Sequence, residues 1–133
     1  MKSELSTKNK YWIPKHRYYE LKHYCLQYPH WRDLYRRLEF KMEVDESGIR
    51  SSEPGKPTEK YALIRASCKN AMELVERTCK EASPELYGYL LKAVTEGTSF
   101  VKLATVNDIP CGKDMYYDCY RRFFYILSQR RGI

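Results

Sequence analysis

Lys113, Tyr117 and Arg121 recur every four residues at the start of a stretch that reads as a helix from Lys113 to Gln129. That spacing puts them on one helical face. Their chemistry suits nucleic acid. A guanidinium at Arg121 can read the O6 and N7 edge of guanine, and an ammonium at Lys113 can hold a phosphate or the same guanine edge. Asp114 and Asp118 lie among them. Carboxylates repel phosphate, accept from the cytosine amino group, or orient Arg121 and Arg122 by helical pairing. Arg122, Arg130 and Arg131 would track the phosphate backbone. Thr98, Ser99 and Lys102, at the start of the preceding segment, offer hydroxyls and helix N–H groups to a phosphate. The plainer reading is that all these charges solvate the last helix of a bundle.

Other chemistry finds little support. His16, His23 and His30 are seven residues apart, which is wider than the i, i+4 pair a helical metal site uses, and Pro29 interrupts the last interval. Cys111 and Cys119 match no CxxC-type ligand spacing. No phosphate-binding glycine loop, nucleophile elbow or zinc-protease motif is present. The expectation is a chain without catalytic residues, metal or cofactor. The five cysteines are an odd number placed inside helical patterns. They read as small apolar residues in a reducing, cytoplasmic setting. No signal peptide is read at the polar start of the chain, and no apolar run has transmembrane length, so no membrane partner is expected.

Charge is concentrated at the two ends of the sequence. Residues 1–43 hold ten Lys/Arg against five Asp/Glu, and residues 98–133 hold six against three, within a net charge of +7. Such a footprint favours a polyanion, double-stranded DNA first among them. The plain alternative is a solvated basic surface.

Helical periodicity positions these groups. Pro14 opens a helix with Tyr18, Leu21, Cys25 and Tyr28 on one face. Pro29 starts a second helix or kinks the first. Trp31, Leu34, Tyr35, Leu38 and Met42 then form an apolar stripe, backed by a possible auxiliary basic face of Arg32, Arg36, Arg37 and Lys41. A polar linker covers 44–57. Thr58 is expected to cap a long central helix whose stripe runs from Tyr61 to Ala82, a core helix or a homodimer seam. Ser83 and Pro84 start a helix that Gly97 ends. Phe100–Val106 suits a strand by its β-branched residues, but Phe100, Leu103 and Ala104 at i, i+3, i+4 favour a helix. The last helix should bury Tyr116, Cys119, Tyr120, Phe123 and Leu127.

The sum is an all-α fold of about five helices: a basic N-terminal helical hairpin (1–43), the linker, and a helical domain (58–133). Residues 84–131 of that domain form a helix-turn-helix.

Three blocks carry a resemblance to a family. They are HRYYELKHYCLQYPHWRDLYRRLEF (His16–Phe40), PTEKYALIR (Pro57–Arg65) and YLLKAVTEGTSFVKLATVNDIPCGKDMYYDCYRRFFYILSQR (Tyr89–Arg130). In order and spacing they resemble the RinA/ArpU-type phage regulators of late-gene transcription, whose C-terminal motif is like the promoter-reading region of sigma factors. The resemblance implies a phage or prophage DNA-binding regulator with Lys113, Tyr117 and Arg121 on the reading helix, supported by Thr98, Ser99 and Lys102. That family often carries Ser or Thr where this chain has Pro110-Cys111-Gly112. An alternative is an interaction protein that binds a host nucleoprotein machine, either RNA polymerase or a defence nuclease such as a CRISPR effector. A DNA-packaging accessory would share the features of the first reading.

Overall fold

Six helices account for most of the described residues, 8–46 and 56–132, of the computed structural model. They are α1 (Lys15–Cys25), α2 (Tyr28–Glu46), α3 (Lys56–Ala82), α4 (Tyr87–Glu96), α5 (Phe100–Thr105) and α6 (Lys113–Arg131). The all-α class and the order expected from periodicity hold: two N-terminal helices, a long central helix and a C-terminal trio. Counting the short α5 separately makes six where about five were expected.

Several boundaries move for identifiable reasons. Pro14 is the N-cap of α1 rather than its first helical residue. A turn at Leu26–Gln27 separates α1 from α2, so the chain breaks before Pro29, which then fits the first turn of the new helix. Most of the expected linker lies outside the described residues. Its flanks, 44–46 and 56–57, belong to α2 and α3. Thr58 therefore sits inside the first turn of α3 instead of capping it, because Pro57 with its fixed φ is already helical. Helix α4 starts at Tyr87, three residues after Pro84. The Ser83 hydroxyl accepts from the Leu86 N–H at 3.1 Å, which turns the chain once before the helix begins.

The described residues group into two compact units. One holds the chain up to Gln27 together with Val75 onward; the other is Tyr28–Leu74. The smaller unit buries Leu38 and Cys68. Arg65 lies over the Tyr35 ring at 4.1 Å and pairs with Glu39 at 3.5 Å, while Lys41 lies over Tyr61 at 5.5 Å. These contacts join α2 to the first half of α3.

The larger unit carries the C-terminal trio. Helix α1 packs on α4 and α6. Its buried Tyr18, Leu21 and Cys25 are three of the four positions expected on that face. Leu86, Ala93, Leu103, Ile109 and Tyr116 form one core cluster that ties α4, α5 and α6 together. Phe123, Phe124 and Leu127 are also buried, and each such side chain contributes about 2–3 kcal/mol over an exposed one. Phe124 was not expected there. It meets Tyr18 edge-on, with ring centroids 5.1 Å apart, so α1 covers a second stripe of α6. Arg17 anchors the far end of α6, donating to the Ser128 hydroxyl at 3.1 Å, the Ser128 carbonyl at 3.0 Å and the Gly132 carbonyl. A cation there complements the helix C-terminus.

Candidate nucleic-acid interface

Helix α5 is too short to persist alone, and its neighbours hold it. Gly97 ends α4 in the left-handed region at φ 71°, where a Cβ is disfavoured. Two residues later Ser99 caps α5, its hydroxyl accepting from the Lys102 N–H at 3.2 Å. Leu103 is fully buried, whereas Val101 and Val106 are 69% and 64% exposed. The β-branched residues that suggested a strand thus face solvent, and burial of Leu103 decides for helix.

The turn after α5 closes when the Ile109 N–H donates to the Leu103 carbonyl at 3.1 Å. Asp108 adopts φ 52°, a left-handed conformation that Asp tolerates better than most residues. Ile109 is buried as the anchor of the turn, and Pro110-Cys111-Gly112 leads into α6. The connection from α5 to α6 runs over seven residues, Val106–Gly112, longer than the three- or four-residue turn usual between the helices of a helix-turn-helix. Gly112 is the N-cap of α6 and offers no side-chain cap; Asp114 in the first turn complements the helix dipole.

The expected site residues divide into exposed and engaged groups. Lys102, Lys113 and Arg122 are exposed. Asp114, Met115 and Asp118 share the outer side of α6 with Arg122. Tyr117 is half-buried, with its ring 4.9 Å from Tyr116 and 6.2 Å from Phe100. Arg121 is half-buried too, and its Nε is enclosed without a hydrogen-bond partner. The outward stripe of α6 is therefore 115, 118 and 122, rotated from the 113, 117 and 121 face. Ser99 is occupied as a cap, and Thr98 is half-exposed beside it.

Arg130 and Arg131 are engaged within the same unit. Arg130 donates to the Thr78 hydroxyl at 3.1 Å and pairs with Glu81. Arg131 lies over the Tyr24 ring at 3.6 Å. In the smaller unit, Arg37 pairs with Asp33 at 3.6 Å, Arg32 lies over Tyr28 at 5.9 Å, and Arg36 is exposed.

Sequence reasoning passed over Met115, which is 48% exposed on the first turns of α6. An apolar residue in an amphipathic helix reads as core. Its i, i+3, i+7 relation to Asp118 and Arg122 was the available signal. The exposed face is also less basic than the chain. Lys102, Lys113 and Arg122 are matched by Asp108, Asp114 and Asp118.

Among the described residues no cluster of three or more His, Cys, Asp or Glu is placed to hold a metal, and no helix is long and apolar enough to cross a membrane. Burial pushes the Cys25 thiol up to about 12, and the Cys79 thiol is raised for the same reason. Both sit in the core as small apolar groups. Comparison with known proteins finds no matching family model, no matching curated protein and no matching solved structure.

Proposed function

We propose that this chain binds double-stranded DNA through α5, its turn and α6, as a transcriptional regulator of the phage or prophage type. One observation carries the reading. Ile109 and Leu103 lock a short helix against a long one, leaving the first turns of the long helix exposed with Lys113, Asp114, Met115, Asp118 and Arg122. A helix presented N-terminal end first is how such modules reach base edges in the major groove. Arg122 suits guanine or phosphate, Met115 a thymine methyl, and Asp114 or Asp118 a cytosine amino group. Lys102 and Lys113 supply phosphate contacts. No catalytic role is assigned to any residue.

The test is fluorescence anisotropy of the full chain against duplex DNA from upstream of its own gene and against a scrambled duplex, over a salt series. Binding to the upstream duplex at least ten-fold tighter than to the scrambled one, and weakening with salt, is the expected result. Equal or negligible binding to both would refute sequence reading by this protein alone.

A second reading draws on the balance of charges around α6 and on exposed Val101 and Val106. A near-neutral, partly apolar surface suits a protein partner, such as host RNA polymerase or a defence nuclease. It predicts weak binding to either duplex and tight binding to one host complex.

A further inference from the structure

A cavity of about 210 Å³ opens within the larger unit, where α1, α4 and the start of α5 meet α6. Its walls are largely aromatic: Phe100, Tyr116, Tyr117 and Phe124, with Tyr18 and Tyr120 beside them. The hydroxyls of Tyr18 and Tyr120 lie 2.9 Å apart and satisfy each other. The rings run in a near-continuous series, with Tyr116 5.9 Å from Tyr120 and Tyr120 5.0 Å from Phe124. Burial raises the hydroxyls of Tyr116 and Tyr120 above the usual tyrosine range, so both are neutral at physiological pH.

One cation lines this space. Lys22 is half-buried, no carboxylate side chain lines the cavity with it, and it has no ion-pair partner among the described residues. Thr98 and Ser99 also line it. Ser99 accepts from Lys102, which leaves its own O–H able to donate. Arg17, Lys80, Arg130 and Arg131 of this unit meet a carbonyl, a ring or a carboxylate, whereas Lys22 lines an aromatic cavity.

We infer that this cavity is a binding site for a small aromatic carboxylate, its ring held among Phe100, Tyr116 and Tyr117 and its anion met by Lys22 and the Thr98 and Ser99 hydroxyls. Size limits the ring system. A dry cavity of about 150 Å³ accepts benzene, and drug-sized ligands need about 300 Å³ or more. The space here fits one substituted ring or a fused bicycle. Ring faces stack on flat π-systems, and the ammonium selects acid over neutral isostere. The site is separate from the exposed face of α6, and it stands whether or not that face reads DNA.

The probe is indole-3-carboxylate, with 3-methylindole as its neutral match. Both are titrated into the full chain and followed by the ring resonances of isotope-labelled tyrosine. Saturable binding of indole-3-carboxylate that moves the Tyr116 and Tyr120 signals is expected, at least ten-fold tighter than 3-methylindole. Lys22→Met, which keeps the apolar stem, should remove that preference. Thr98→Trp, at the half-exposed rim, should block both compounds, with circular dichroism establishing that each variant is folded. No saturable binding by indole-3-carboxylate, benzoate or phenylacetate to the native protein overturns the inference. Binding that both variants leave unchanged overturns it as well.

Discussion

Arg122 and Arg130 carry the same charge on the same helix but have different surroundings. Arg122 is exposed with no ion-pair partner among the described residues, whereas Arg130 bonds Thr78 and Glu81 across the unit. Arg122→Ala should therefore leave the Tm within about 2 °C of the native value, as surface changes do, and weaken duplex binding about three- to ten-fold. Arg130→Ala should cost about 1 kcal/mol of stability through its lost charge-assisted bonds, with little effect on DNA affinity at temperatures where the protein is folded. Thermal melts and anisotropy on both variants separate the two roles. The cysteines make a second prediction at this scale. Cys25 is fully buried and its thiol is pushed up to about 12 from an ordinary 9.0. The unfolded chain thus loses this proton from about pH 9 while the folded chain keeps it. The stability Cys25 confers is complete below pH 9 and falls as pH rises toward 12. At about pH 10.5 the loss is roughly 2 kcal/mol from this thiol, about 8 °C in Tm. Buried Tyr116 and half-buried Tyr120, raised in the same direction by burial, add to it. Cys25→Ala should start less stable and lose less between about pH 8.5 and 10.5.

Helix α5 shows how far local pattern determines an element. Its cap, its buried Leu103 and the glycine stop before it were all readable, because each depends on residues within a few positions of one another. Gly97→Ala should destabilise by about 1 kcal/mol. The cost is the left-handed φ alone, since the new Cβ would lie at ordinary contact distance, 3.8 Å, from Leu26. Ser99→Ala should cost a similar ~1 kcal/mol by removing the cap. Urea melts would measure both, and no change in either would mean that tertiary packing alone holds α5. What was not legible depends on distant sequence. Ser83-Pro84 has the composition of a helix start, but Ser83 spends its hydroxyl on the Leu86 N–H and delays α4 to Tyr87. Phe124 lies beside the expected stripe of α6 and is buried because Tyr18, more than a hundred residues earlier, covers it. The same blindness affected the site. Arg130 and Arg131 looked like phosphate contacts because Glu81 and Tyr24 are remote in sequence, and Tyr117 looked outward because the aromatic cluster around Phe100 could not be foreseen.

Across the whole molecule, the proposed DNA contact can be assigned to particular cations by its salt dependence. A net charge of +7 suggests a broad basic footprint. The α5–α6 surface contributes three exposed cations with no ion-pair or ring partner among the described residues, Lys102, Lys113 and Arg122, against an equal number of carboxylates. Salt dependence counts phosphate contacts, because each neutralised phosphate adds about −0.9 to the slope of log affinity against log salt. Three contacts give a slope of about −2.7, or roughly a forty-fold loss of affinity between 50 and 200 mM salt. The smaller unit carries a second set, Arg32, Arg36, Arg37 and Lys41. If that set also meets the duplex, the slope approaches about −6 and the loss exceeds a thousand-fold. Replacing all four with alanine discriminates between the cases. Arg32, Arg36 and Arg37 are exposed, away from buried Leu38, while Lys41 gives up its place over the Tyr61 ring, so a thermal melt of the variant accompanies the binding series. The contacts proposed for this chain lie on α5 and α6, so the expected result is a slope near −3 that the quadruple variant leaves unchanged, with the preference for the upstream duplex retained. A slope near −6 that falls to about −3 in the variant would show that the α2 cations also meet the duplex.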